Sequence, residues 1–293
     1  MRVQWKFGNT VQRLLLFCIG APLFALAAFY LPYYHHAVIA FVIAALAGGS
    51  AWEAAKFFNI AGLKVKPLVG LLLGMLIPIL YYIETFVPIE NAGRAGLATI
   101  ALGFCAVAVF APFAFSSKEN LPLALRSAAA YGFLLIYPGF LAGFIMLINS
   151  EPLYAAESIC SFVMMTLGND ALAWLVGVTL GRHKGIVSVS PSKSIEGFAG
   201  GFAGSILAAV ICRAIFPAAF AGVQLWALLG MAILVGAASI SGDLFESALK
   251  RSVGVKDSGD WIPGRGGFLD SVDSMLFAAP VFYLLSLILG LFR

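Results

Sequence analysis

Residues 239–274 read SISGDLFESALKRSVGVKDSGDWIPGRGGFLDSVDS. They lie between two apolar runs, near 223–244 and 269–291. Each run is long enough to cross a bilayer, which takes about 20 apolar residues. The segment between them has the opposite character. It holds Asp243, Glu246, Asp257, Asp260, Asp270 and Asp273, six of the fourteen acidic residues. It also holds Lys250, Arg251, Lys256 and Arg265, four of the eighteen basic ones. An uncompensated charge in lipid is expensive. So dense a polar segment between two spans therefore belongs at a membrane surface, with its charges answered by one another or by a ligand.

Working outward, the same alternation runs through the chain. Its 293 residues are 61% hydrophobic and 11% charged, with a mean hydropathy of +0.98; soluble domains carry about 25% charge. Apolar runs near 14–32, 37–55, 67–87, 95–115, 124–148, 157–181, 197–216, 223–244 and 269–291 predict an all-α, polytopic integral membrane protein of about nine transmembrane helices. Short links between them carry Pro32, Lys64, Lys66, Pro67, Pro88, Ser116, Ser117, Lys118, Glu151, Pro152 and Pro217. The first run follows Arg2, Lys6 and Arg13, as a signal peptide does, but it is span-length and no small-residue cleavage site follows. It reads as a retained span. The cysteines (Cys18, Cys105, Cys160, Cys212) are single and lie in apolar runs, without metal-ligand spacing.

The basic residues orient the chain. With the N-terminus in the cytoplasm, all of the eighteen except Arg94, Arg213 and Arg293 fall on cytoplasmic segments. The other side carries Glu84, Glu90, Glu151 and Glu157. This is the positive-inside pattern. It predicts an inner, cytoplasmic membrane location with both long polar links facing the cytoplasm. The net charge of +4 thus reports topology, and no nucleic-acid partner is expected. Residues 1–150 read as a transmembrane scaffold and 151–293 as a transmembrane catalytic region, in one continuous membrane domain.

If the helix ending the eighth span continues, Asp243, Glu246, Ser247 and Lys250 share one face. Asp270 and Asp273, three apart, enter the ninth span. Carboxylates on neighbouring helix ends repel unless a cation lies between them, and oxygen-only ligands favour Mg²⁺ or a similar hard ion. Gly264, Gly266 and Gly267 permit close backbone approach, and N–H groups at a helix start receive phosphate oxygens. Lys250, Arg251, Lys256 and Arg265 suit a polyphosphate. These parts together fit metal-assisted phosphoryl or nucleotidyl transfer.

A second polar link, GRHKGIVSVSPSKSIEG at 181–197, has serines around Pro191, then Lys193 and Glu196. It reads as a phosphate-contacting turn before the seventh span, without the spacing of a capping box. His183 has no partner in sequence. Asn169 and Asp170 lie inside the sixth span, where an acid is a functional candidate by default. The stripes Gly200, Gly201, Gly204 and Gly139, Gly143 read as helix-packing surfaces that also permit a homodimer. No Walker A or zincin pattern occurs.

In these residues the chain resembles the phosphatidate cytidylyltransferase, or CDP-diacylglycerol synthase, family. The family pattern runs Ser, two residues, Lys-Arg, four residues, Lys-Asp, then a Pro-Gly-His-Gly-Gly turn and Leu-Asp-Arg-x-Asp-Ser. Here Ser247, Lys250, Arg251, Lys256, Asp257, Pro263, Gly264, Gly266, Gly267, Leu269, Asp270, Asp273 and Ser274 fall in register. Gly242-Asp243, Asn169-Asp170 and the element from Ser190 through Lys193, Ser194 and Glu196 to Gly197 match as well. Two positions depart: Arg265 stands where the family has His, and Ser271 where it has Arg.

The resemblance implies that CTP and phosphatidate give CDP-diacylglycerol and pyrophosphate, as a step of phospholipid biosynthesis. It implies Mg²⁺, alone or with a second cation, on Asp243 and Asp270, with Asp273 beside them. Lys193, Lys250, Arg251 and Asp257 are the catalytic candidates. Ser190, Ser194, Ser247, Lys256, Arg265, Gly266, Gly267, Asn169 and Asp170 are the candidates for substrate and phosphate binding. The two departures leave open an ether or isoprenoid lipid phosphate as acceptor. A membrane carrier is the non-enzymatic alternative, but carriers place their acids at the bilayer midplane, whereas these cluster toward one interface.

Overall fold

The computed structural model describes residues 9–86, 96–115, 118, 121–262 and 264–292. Arg2, Lys6, Pro88, Glu90, Arg94, Ser116, Ser117, Pro263 and Arg293 lie outside them, as do the side chains of Arg13 and Cys18. The described residues are helical with short links and contain no β-strand beyond two isolated bridges. The helices are α1 (Asn9–Tyr30), α2 (Tyr33–Ile60), α3 (Pro67–Glu84), α4 (Gly96–Ala114), α5 (Leu121–Leu134), α6 (Leu141–Asn149), α7 (Ala155–Thr179), α8 (Ile195–Ile215), α9 (Leu225–Ser252) and α10 (Leu269–Ile288). A π-helical turn, Leu135–Phe140, joins α5 to α6 into one run. Pro138 lies inside it, and a proline's missing N–H breaks the regular ladder and favours such a widened turn.

Seven of these helical runs among the described residues are long and apolar enough to cross a membrane: Tyr33–Ile60, Pro67–Glu84, Leu121–Asn149, Ala155–Thr179, Ile195–Ile215, Leu225–Ser252 and Leu269–Ile288. Shorter apolar stretches, Ile19–Tyr30 and Leu102–Ala114, lie in the other two predicted spans. Large apolar side chains such as Phe41, Leu72, Leu125, Val178 and Ile288 are exposed on the helix surfaces. Water would penalise such faces, whereas lipid accepts them. The chain is an integral membrane protein. Its boundaries follow local chemistry. Pro67 begins α3 at the position where its lacking N–H costs nothing. Tyr34, His35 and His36 have left-handed backbone angles, so the regular part of α2 begins after them.

Two compact units form. One comprises Met1–Met146 with Val253–Val272, the other Leu147–Ser252 with Asp273–Arg293. In the first, α2 and α3 pack most extensively. They approach through small residues: a Cβ on Gly74 would stand 2.6 Å from the Ala47 carbonyl, and one on Gly70 2.9 Å from that of Ala51. Gly139 and Gly143 are likewise closed in, by the Leu73 carbonyl and the Tyr81 ring.

In the second unit α7 packs along α8, and α9 meets both. Gly204 lies on the Gly168 carbonyl, and Gly200 on Val176 and the Leu172 carbonyl. The glycine stripes therefore serve helix contact within the chain, where small residues let backbones come close. Phe282 of α10 packs edge-on against the fully buried Phe162 of α7. Cys105, Cys160 and Cys212 are free thiols.

Candidate functional site

The second unit gathers most of the expected residues. The link before α8 is shaped by its own polar groups. The Ser194 hydroxyl accepts the Gly197 N–H at 3.1 Å and caps α8. Glu196 accepts the N–H groups of Arg182 and His183, each at 3.2 Å, and meets the His183 ring at 2.6 Å. His183, partnerless in sequence, is thus part of a clasp that closes the link. Ser194 is buried by its capping role, while Ser190 is half-buried in a turn with Lys193.

This folding delivers the Lys193 ammonium to the Asp243 carboxylate of α9, with which it forms an ion pair. Asp170 of α7 and Asp273 of α10 lie within electrostatic reach of the same ammonium. Burial pushes the Lys193 amine below the usual lysine range, Asp170 and Asp273 pull it back up, and Lys250 adds to the lowering. Three carboxylates from three helices thus face one cation. The close approach behind them depends on Gly242, because a Cβ there would run into the Asp273 carbonyl and stand 3.1 Å from Phe277. The Ser274 hydroxyl reaches Asp170 at 3.4 Å.

The predicted face on α9 forms, since the helix runs unbroken to Ser252. Glu246 is fully buried and pairs with Lys250 at 2.6 Å, one turn along. Ser247 beside them is buried, and Arg251 is exposed. Asn169 has a different setting from Asp170. Its amide donates to the Ser205 hydroxyl at 3.1 Å and the Gly236 carbonyl at 3.4 Å, and Ser205 in turn donates to the Met165 carbonyl. Asn169 therefore ties α7, α8 and α9 together inside the core.

The first unit holds the remaining expected residues. Lys256 and Asp257 are exposed on the link after α9. The link then turns tightly at 262–266, where Ile262 and Gly266 exchange backbone hydrogen bonds and Gly266 takes a positive φ of 106°. Asp270, in the first turn of α10, accepts the Gly267 N–H at 2.7 Å and both the N–H and the hydroxyl of Ser258 at 2.9 Å. The Arg265 guanidinium donates to the Ser271 carbonyl at 3.3 Å, so the two positions that depart from the family pattern touch. Asp243 belongs to the second unit and Asp270 to the first.

Glu53 of α2 was not among the expected site residues. It is fully buried. Its carboxylate accepts the N–H groups of Phe268 (3.1 Å) and Leu269 (2.9 Å) and the Ser258 hydroxyl (2.8 Å). The signal for it was present, since it is an acid inside the predicted span 37–55, of the same kind as Asp170. For Ser258 no local signal exists. Among the described residues, no group of three or more His, Cys, Asp or Glu side chains is gathered into a ready cage for a metal ion.

Residues 11–289 match the Cytidylyltransferase family. The chain is 34% identical over 179 residues to the phosphatidate cytidylyltransferase of Thermotoga maritima, a match covering 60% of this chain and 66% of that protein. It is 40% identical over 121 residues to the phosphatidate cytidylyltransferase of Staphylococcus aureus, covering 40% of this chain and 44% of the relative. It is also 43% identical over 119 residues to the uncharacterized protein YnbB of Escherichia coli, covering 41% and 39%. In each case the matched segment spans less than two thirds of the relative's length. The match that runs nearly end to end is the family's, and the chain belongs to the cytidylyltransferase family.

Proposed function

We propose that this protein is a phosphatidate cytidylyltransferase, which joins CTP to phosphatidate, forming CDP-diacylglycerol and releasing pyrophosphate. One observation carries the reading: Lys193 and three acids from three apolar helices form a charged cluster in a family member whose relatives include named phosphatidate cytidylyltransferases. We place this chemistry at the cytoplasmic face, on the distribution of basic residues. A lipid phosphate lies at headgroup depth there and a nucleotide arrives from water.

The chemistry balances as a single displacement. An ionised oxygen of the lipid phosphate attacks the α-phosphorus of CTP. A P–O bond forms there as the bond to the β-phosphate bridging oxygen breaks, and the electron pair leaves on pyrophosphate. The protein's task is to position the groups and stabilise charge. Lys193, Lys250 and Arg251 supply positive charge to the phosphates, with Ser190 and Ser247 as further polar groups; Lys256 and Asp257, exposed on the link after α9, are further candidates. The candidate ligands are carboxylate oxygens without thiol or imidazole, a donor set that suits a hard cation such as Mg²⁺. Asp243 and Asp273 in the second unit, and Asp270 in the first, are the residues that would hold such an ion, whose charge would stabilise the reacting phosphate oxygens.

The test is direct. The purified protein in mixed micelles is given CTP, Mg²⁺ and a panel of lipid phosphates, and pyrophosphate release is followed. Release is expected with phosphatidate and is expected to fall at least about 100-fold in Asp243→Ala or Asp270→Ala, on the scale of lost electrostatic stabilisation. Release with no lipid phosphate overturns the enzymatic reading. Release only with an ether or isoprenoid phosphate overturns the assignment of the acceptor.

A further inference from the structure

We propose that Glu53 is a positioning residue for the Asp270 carboxylate, acting through Ser258 and the backbone at 267–269. The inference rests on the proposed function, in which Asp270 serves as a cation ligand.

Glu53 is far from the polar links in sequence, on an apolar helix, and has no exposure. A carboxylate so placed needs strong donors. It finds them at the start of α10, where the first N–H groups of a helix have no partner within the helix. Both carboxylate oxygens are used: one takes the Phe268 N–H, the other the Leu269 N–H and the Ser258 hydroxyl. The positive end of the α10 dipole faces this charge. Glu53 therefore acts as an N-cap supplied from another helix.

The link to Asp270 is geometric. Ser258 has one hydroxyl proton, and the two carboxylates compete for it, at 2.8 Å (Glu53) and 2.9 Å (Asp270). The Ser258 hydroxyl also accepts the Asp270 N–H at 3.3 Å, while its own N–H holds the Asp270 carboxylate. The third donor to Asp270, the Gly267 N–H, immediately precedes the residues that Glu53 pins. Each of these donors thus has its position set by Glu53 or by its hydroxyl partner. The cradle is cut to fit: a Cβ on Gly267 would stand 2.5 Å from one Glu53 oxygen and closer still to the other, and one on Gly259 would also strike the carboxylate. A filler of this space would have needed no charge. The charge is explained if orientation of the α10 start, and of Asp270 on it, is what is being held.

The experiment uses the full chain in detergent with Mn²⁺ alone as the probe, its binding read by electron paramagnetic resonance, alongside kcat and KM for CTP. Ser258→Ala leaves the two backbone donors to Glu53 in place and is expected to lower the unfolding temperature by less than Glu53→Ala does. It is nonetheless expected to weaken Mn²⁺ binding about 10-fold and to lower kcat with little change in KM, the scale set by groups that orient metal ligands. Glu53→Gln is expected to act in the same direction and more strongly, and Glu53→Ala more strongly again. Asp270→Asn gives the reference loss. If Asp270→Asn weakens Mn²⁺ binding while Ser258→Ala and Glu53→Gln bind it like the unsubstituted protein, the positioning role is overturned and the cation reading stands. If Asp270→Asn itself changes neither binding nor turnover, the cation reading fails and the inference falls with it.

Discussion

Replacing Gly267 with alanine adds one methyl group where a Cβ has no room in the first unit. The new carbon would stand 2.5 Å from one Glu53 oxygen, and nearer to the other and to the Ser258 hydroxyl. Unbonded carbon and oxygen need well over 3 Å, so the carboxylate must retreat by roughly 1 Å. Its hydrogen bonds of 2.8, 2.9 and 3.1 Å then pass beyond bonding range. A hydrogen bond to a charged group contributes about 1.5–3 kcal/mol, and buried donors left unpaired add their own penalty. Partial relaxation of the link recovers some of this, so a net loss of about 2–4 kcal/mol is expected, within the range of severe single substitutions.

The assay is thermal unfolding in detergent, with two glycine controls. A loss of that size lowers Tm by roughly 5–10 °C for a chain of this length. Gly254 has a φ of +73° and open space around a Cβ, so Gly254→Ala should show only the backbone cost, about 1 kcal/mol. Gly230 lies within α9 with nothing near a Cβ, so Gly230→Ala should be neutral or slightly stabilising. If Gly267→Ala unfolds within about 2 °C of the unsubstituted protein, or no lower than Gly254→Ala, the account of the cradle is refuted.

Three further outcomes follow from the second unit. Because burial lowers the Lys193 amine below the ordinary lysine value of 10.5, the ammonium is lost at a lower pH than that of an ordinary lysine. A pH–rate profile should fall on its alkaline side before 10.5, and Lys193→Arg should move that limb upward; an unchanged limb counts against Lys193 as the titrating group. Between the folded and unfolded pKa values the unfolded chain binds more protons, so this group's contribution to stability rises with pH there. Asn169→Ala should cost about 1–3 kcal/mol of stability while KM for CTP stays within about twofold, since its amide ties three helices; a large rise in KM at unchanged Tm would give it a substrate role instead. Glu246→Gln strips a buried lysine of its counter-charge, with an expected cost of about 3–5 kcal/mol, whereas Glu246→Leu with Lys250→Met should recover most of the stability but not turnover. Equal stability of the single and double variants would show that the pair is not coupled.

Much of the fold was legible because lipid imposes simple rules. Apolar runs and the prolines and charges between them located the helical stretches, most ends to within a few residues, including the start of α3 at Pro67, whereas α9 runs eight residues past the end of its apolar run, to Ser252. Glycine spacing identified the packed faces of α8 and of the α5–α6 run. The ordered motifs from Asn169 to Ser274 led to the family that the whole-chain match shows. Individual roles within the motifs were less readable. Asn169 and Asp170 are adjacent in sequence, yet one lies in a core clamp and the other faces a lysine. Ser194, expected at a phosphate, caps α8. A side chain's partner depends on which helix face it lands on and on what lies opposite, and neither is written locally.

By itself the sequence determined that the chain lives in lipid, where its helices run and to which family it belongs, because hydropathy, charge and motif order are properties of the chain read in line. Only the tertiary structure decided which acid meets which cation. It set Lys193 against Asp243, closed His183 onto Glu196, and brought Glu53 across more than two hundred residues to the start of α10. Such pairings arise because a buried charge or an unpaired helix-end N–H must find a partner in space, and chain order does not say which partner will be near.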